Sequence, residues 1–357
     1  MNGAVMQREY SIDLLKILAM LFIVFDHILY WGGWGFCAGR PGVKGFMLES
    51  LDAVCLCHVN CFVLSSGWIM SRMEFKMKRV VKLYLEVWGY SLAFVLLAWL
   101  CFPSINLGLK DALKNLLPIS MDRYWFFTEY LILFCAMPVL NVAIKVLDRK
   151  VLSSVLWIGF LCFSIHPILF NTDIFQLNRG YSALWFMYLY LLAGTMALRG
   201  LFKNVSMMKS IIVASASLLG VIALLHLRSL LSLGIEHRFR ADLFRAYNCP
   251  FILAYSVAMF LVFSKVNNIP SRVRTVIGMI SPSVFAVYII HSNKLFRVMT
   301  DWTSFWQSFL DNHSAVVCAF CAIGAALIIF FACILVDGAR RLVVSKLSSC
   351  YMRTYVI

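Results

Sequence analysis

Ten apolar runs, each of a length that can cross a bilayer, constrain this chain more than any other feature. They cover roughly 12–31, 51–71, 84–102, 124–144, 151–170, 181–198, 210–227, 249–264, 276–291 and 314–336 of the 357 residues. A hydrocarbon layer of about 30 Å is spanned by about 20 helical residues. None of the runs alternates apolar and polar residues as a barrel strand would, so each is expected to be a helix. The expectation is an all-α polytopic integral membrane protein, a single transmembrane domain over 1–357. The ninth run is short and holds Ser281-Pro282-Ser283, which predicts a kink or a re-entrant turn. Composition agrees: 62% of residues are hydrophobic and 14% are charged, too few charges for an ordinary soluble domain.

The loops set an orientation. With the amino terminus inside, the inner segments carry 19 Lys and Arg and the outer loops 12. That bias predicts both termini in the cytoplasm. It also accounts for the net charge of +15 without nucleic acid, for which no basic domain exists outside the runs. Most of the 12 cysteines sit in apolar runs and do not resemble a disulfide framework. No cleavable signal peptide is evident, because the first run contains Asp13 and Lys16.

A charge inside lipid costs about 2.5–3.5 kcal/mol on insertion scales, so each one calls for a reason. The first run holds Asp13, Lys16, Asp26 and His27. Lys16 and His27 are eleven residues apart, which puts them on one helix face about 16 Å apart. Each has an ordinary reading: Lys16 as an anchor paired with Asp13, His27 as an interfacial histidine bonded to a neighbouring helix. Together they suggest a polar path from the inner to the outer level. Asp26 points about 100° from His27 and is a poor orienter of its ring. Cys55, Cys57 and His58 are spaced wrongly for one metal ion, so no metal is expected. Ser66-Gly67 is a small-residue patch that suits either helix packing or a narrow passage. The basic loop around Lys78, Arg79 and Lys82 follows it and suits anionic phosphates at the inner mouth. Glu129 lies within the fourth run, His291 at the outer end of the ninth. His166, His226, His237 and His313 are expected to be solvated.

Several of these residues carry a family resemblance. The opening Arg8-Glu9-Tyr10-Ser11-Ile12-Asp13-Leu14-Leu15-Lys16, followed by His27, resembles the start of the membrane-bound acyltransferase family 3 proteins, with a basic residue, ten residues and a histidine. Asn60 to Trp68 looks like that family's F-V-L-I-S-G motif, and Arg79-Val80-Val81-Lys82 is similar to its Arg-x-x-Arg element. Trp125-Phe126-Phe127 with Tyr130, and Tyr288-Ile289-Ile290-His291, resemble its later motifs. Lys82, Trp68 and Ser65 depart from the pattern. The resemblance implies O-acyl transfer from cytoplasmic acyl-CoA, most simply acetyl-CoA, to a hydroxyl of an extracytoplasmic glycan such as O-antigen, capsule or exopolysaccharide. Succinyl transfer is an alternative, and a proton-coupled glycan or lipid transporter is the competing class. The protein is then expected in a bacterial inner membrane. Its expected partners are a glycan or lipid-linked glycan, membrane lipids and, as an open alternative, a second copy in a homodimer.

Under that reading His27 is the general base, and Glu129 orients the base or the sugar. Lys16, Lys78, Arg79 and Lys82 hold the CoA phosphates, while Ser66 and Gly67 line a passage for its arm. Tyr288 and His291 contact the acceptor or the thioester oxygen, and Trp125 and Tyr130 belong to the acceptor side.

Overall fold

A computed structural model describes residues 8–34, 42–121, 123–231 and 243–354. All regular elements among them are helical: α1 (Tyr10–Leu29), α2 (Val43–Cys55), α3 (His58–Met70), α4 (Met77–Cys101), α5 (Leu109–Leu116), α6 (Trp125–Val146), α7 (Arg149–Phe160), α8 (His166–Phe170), α9 (Ala183–Arg199), α10 (Met207–Leu231), α11 (Pro250–Ser264), α12 (Ser271–Ile280), α13 (Val284–His291), α14 (Lys294–Met299), α15 (Trp302–Asn312) and α16 (Ala315–Thr354), with short π and 3-10 turns between some of them. Seven of the described segments are long and apolar enough to cross a membrane: Val43–Met70, Met77–Cys101, Trp125–Val146, Arg149–Phe170, Met207–Leu227, Ser271–His291 and Ala315–Lys346. α9 and α11 are shorter apolar helices. α1 has the length but carries three charged side chains, Asp13, Lys16 and Asp26. This is an all-α polytopic membrane protein.

The sorting of helices follows from what each one presents. α1 and α3 form the centre, and among the described residues neither exposes a side chain to the outside. α1 packs against α2, α3, α11, α12, α13 and α16. Its charges are therefore tolerated because they face protein, not hydrocarbon. The outer helices α4, α6, α7, α10 and α16 turn large apolar side chains outward, among them Leu100, Val139, Trp157, Ile212 and Phe320. That is an inverted amphipathicity, apolar where a soluble bundle would be polar.

Polar contacts fasten one end of the bundle. Trp68 Nε1 donates to Glu9 Oε2 at 2.6 Å, and Arg72 forms an ion pair with Glu9 Oε1 at 2.7 Å. Arg8 reaches both Asp13, at 2.6 Å, and the Ser281 hydroxyl, at 2.5 Å. Asp13 is thus paired with Arg8, where the sequence suggested Lys16. Between α4 and α16, Arg340 bridges Glu86 at 3.0 Å and Asp337, whose carboxylate also accepts from Tyr90 at 2.8 Å.

Three elements differ from the sequence reading. The helical segment on the second run starts at Val43, not near 51, and breaks at Leu56–Cys57 into α2 and α3. Charged Glu49 hid this extension from a hydropathy count, yet it is buried against protein. The last helix continues past 336, because Asp337, Arg340 and Arg341 are paired along its flank. The ninth run is kinked: α12 and α13 meet at a 3-10 turn, Ser281–Ser283, around Pro282.

Candidate active site

At the end of the bundle opposite Glu9, a cavity of about 390 Å³ opens among helix ends. His27 is in the last turn of α1, His58 is the first residue of α3 and Trp125 the first of α6. Asp26, Trp31, Tyr181, Arg245, Tyr247 and Tyr288 also line it. The chain leaves α1 through a π-helical turn, Tyr30–Trp34, and so keeps Trp31 one turn above His27. Their rings stack at 3.8 Å between centroids with an angle of 26°. The Arg297 guanidinium lies over Trp31 at 4.0 Å. Burial pulls Arg297 below its ordinary value, and among the described residues its Nε finds no hydrogen-bond partner.

The imidazole of His27 is held from behind. Its Nδ1 lies 2.9 Å from His291 Nε2, and His291 Nδ1 lies 2.6 Å from the Val287 carbonyl. The carbonyl only accepts, so the network assigns the proton to His291 Nδ1. A neutral His291 then accepts at Nε2, and His27 donates from Nδ1. His27 Nε2 keeps its lone pair, in a residue that lines the cavity. A second histidine thus fixes the tautomer, the task a carboxylate has in a Ser-His-Asp triad. His291 itself is fully buried and does not line the cavity. It lies behind His27, outside the cavity wall in which Tyr288 stands. Glu129 is half-buried and does not line the cavity either. His291 is the side chain that lies within hydrogen-bond distance of His27 Nδ1.

Behind the opposite wall runs a chain of buried polar groups. Asp26 Oδ2 is 3.8 Å from His58 Nε2, and Arg245 is ion-paired with Asp52. Burial opposes the charge on Arg245, but the carboxylates of Asp52 and Asp26 outweigh it and raise its pKa above the ordinary guanidinium value. Asn60 donates to the Tyr247 carbonyl at 2.8 Å and accepts from Trp185 Nε1 at 3.0 Å, which pins the segment before α11 to α3. Tyr181 is pushed up to about 12, chiefly by burial, and burial raises Tyr247 as well. Both phenols therefore stay protonated near neutrality, and neither competes with an imidazole as base.

The other predicted residues occupy a lower level. The Lys16 ammonium sits 5.9 Å from the Phe62 ring centroid. Phe62 packs edge-on against Phe126, in the cavity wall, and against Tyr130. Tyr130 donates to the Ser66 hydroxyl at 3.1 Å. Lys16, Tyr130 and Ser66 thus meet around Phe62, but Lys16 does not line the His27 cavity. Phe62 and Phe126 stand between the two levels. Gly67 is taken up by packing: an added Cβ would lie 3.0 Å from Tyr190 Cα and Ala193 Cβ of α9. It serves helix contact and not the passage expected of it. Lys78 and Lys82 are exposed on the first turns of α4, and Arg79 donates to the Glu74 carbonyl at 3.1 Å.

Sequence reasoning missed His58, Trp31, Arg245, Tyr247 and Arg297. For His58 a signal existed, an ionisable residue inside an apolar run. For Arg245 and Tyr247, in a connecting segment, there was none. His226, expected to be solvated, is instead stacked on Phe46 at 3.9 Å and bonded to the Ser50 hydroxyl at 3.0 Å. His237 lies outside the described residues. Among those residues, no group of three His, Cys, Asp or Glu side chains that could hold a metal occurs.

Comparison with curated proteins and with solved structures returns no match. The family model described as an acyltransferase domain matches residues 9–357. The chain belongs to acyltransferase family 3.

Proposed function

We propose that this acyltransferase moves an acyl group, most simply acetyl, from cytoplasmic acyl-CoA to a hydroxyl of an extracytoplasmic glycan. In this reading the Glu9 end faces the cytoplasm of a bacterial inner membrane and the His27 cavity faces outward, as the loop charges favour. The observation that carries it is the relay from the Val287 carbonyl through His291 to His27.

His27 Nε2 takes the proton from the acceptor hydroxyl as its oxygen attacks the thioester carbonyl. The C–O bond forms, the C–S bond breaks, and the same nitrogen returns the proton to the departing thiolate. The positive charge that His27 carries between these events is stabilised by the lone pair of His291. The same free nitrogen would also serve as a nucleophile through an acyl-histidine. Lys16, half-buried two levels below, and the cations of the first α4 turns supply charge for the CoA phosphates. Trp125 and Tyr288, both in the cavity wall, give the sugar apolar faces.

His27→Ala should abolish acylation of the surface polysaccharide, read by mass spectrometry, while the protein still inserts. Retained acylation rejects the assignment.

A further inference from the structure

His58 is 1% exposed and lines the cavity, yet neither of its ring nitrogens has a hydrogen-bond partner among the described residues. A buried imidazole left in that state is costly, and the usual resolution is a partner the site is built to receive. The nearest polar atom is informative. Asp26 Oδ2 stands 3.8 Å from His58 Nε2, too far for a direct hydrogen bond. One oxygen at about 2.8 Å from each would close both gaps. That oxygen must donate to the carboxylate and accept from the imidazole N–H. A hydroxyl does both, and a carboxylate or phosphate oxygen does not.

The surroundings narrow the ligand further. Arg245 is occupied by Asp52. The Tyr247 ring meets His58 edge-on at 5.5 Å and lies parallel to Trp125. The notch is therefore an acceptor carboxylate and a donor imidazole beside flat apolar faces, the pattern that suits a sugar ring with its hydroxyls at the edge. Asp26 and His27 are neighbours on α1, about 100° apart around the helix, and both line the same cavity.

We infer that Asp26 and His58 form the acceptor subsite, holding an uncharged sugar hydroxyl near the one that His27 activates. An acidic substituent at that position would face the Asp26 carboxylate and be rejected. This inference rests on the reading of the protein as a glycan acyltransferase.

The test uses the full chain in membranes, with radiolabelled acetyl-CoA and succinyl-CoA as donors. The probe is total surface polysaccharide from the source cells, titrated as hexose equivalents. Asp26→Asn and His58→Phe should each raise the acceptor KM about tenfold, the scale of one lost hydrogen bond to a charged or buried partner, and leave the acyl-CoA KM unchanged. His58→Gln, which restores an N–H, should recover part of the loss. An unchanged acceptor KM in the variants that fold means the gap holds a bridging water only, and overturns the subsite. An equal rise in the acyl-CoA KM overturns it too. If wild type transfers nothing from either donor, the functional reading falls and the subsite with it. If wild type transfers and His27→Ala does not, the subsite alone is being judged.

Discussion

Replacing His291 by Phe tests the relay without emptying the core, because the ring volume is kept. The substitution removes the acceptor that lies 2.9 Å from His27 Nδ1. Two losses add. The first is the fixed tautomer: without an acceptor at Nδ1, the Nε2–H form competes and the free base is no longer always at Nε2. With a net hydrogen-bond worth of about 0.5–1.5 kcal/mol, this costs about 2- to 10-fold. The second is lost support for the imidazolium, a charge-assisted bond worth about 1.5–3 kcal/mol. Together they amount to about 2–4.5 kcal/mol, or about 30- to 2000-fold in kcat at 1.36 kcal/mol per decade. A neutral imidazole stabilises the cation less than a carboxylate, so the effect should stay below the 10⁴-fold typical of a triad aspartate. The stack on Trp31 is retained and should keep the ring from leaving the cavity. The assay is single-turnover acetyl transfer by membranes, with detergent-solubilised variant checked for monodispersity. His291→Gln, whose Oε1 can accept from His27, should recover part of the rate. A folded His291→Phe within about threefold of wild type would refute the relay.

Lys16→Ala should raise the acyl-CoA KM more than the acceptor KM, because its ammonium lies at the Phe62 level and outside the His27 cavity; equal shifts would remove it from the proposed donor path. Gly67→Val should lower the melting temperature, since even a first Cβ meets α9 at 3.0 Å, and overpacking of this kind costs about 1–3 kcal/mol. An unchanged melting temperature would show that α3 and α9 can separate there freely.

The runs were legible because hydrocarbon leaves a chain little choice: each apolar stretch is helical, in one piece or in several. What hydropathy misplaced were the stretches where paired charges continue a helix, as at Glu49 in α2 and at Asp337 and Arg340 in α16. Of the site, His27 and His291 were visible as residues, but not as partners. They are 264 positions apart, and nothing local says that two helix ends meet. The stripe argument put Lys16 and His27 on one face of α1 but could not see that Phe62, from α3, comes to stand beside the Lys16 ammonium. The approach of Asp26 to His58 needed the α1–α3 crossing to be known.

The central position of α1 has a further consequence. A helix whose side chains are all buried or half-buried is largely shielded from what surrounds the bundle. Swelling, thinning or lateral pressure in the bilayer acts first on the outer ring of α4, α6, α7, α10 and α16, whose apolar side chains meet the acyl tails. The reacting nitrogen rides on a shaft that those forces reach only through its bearings.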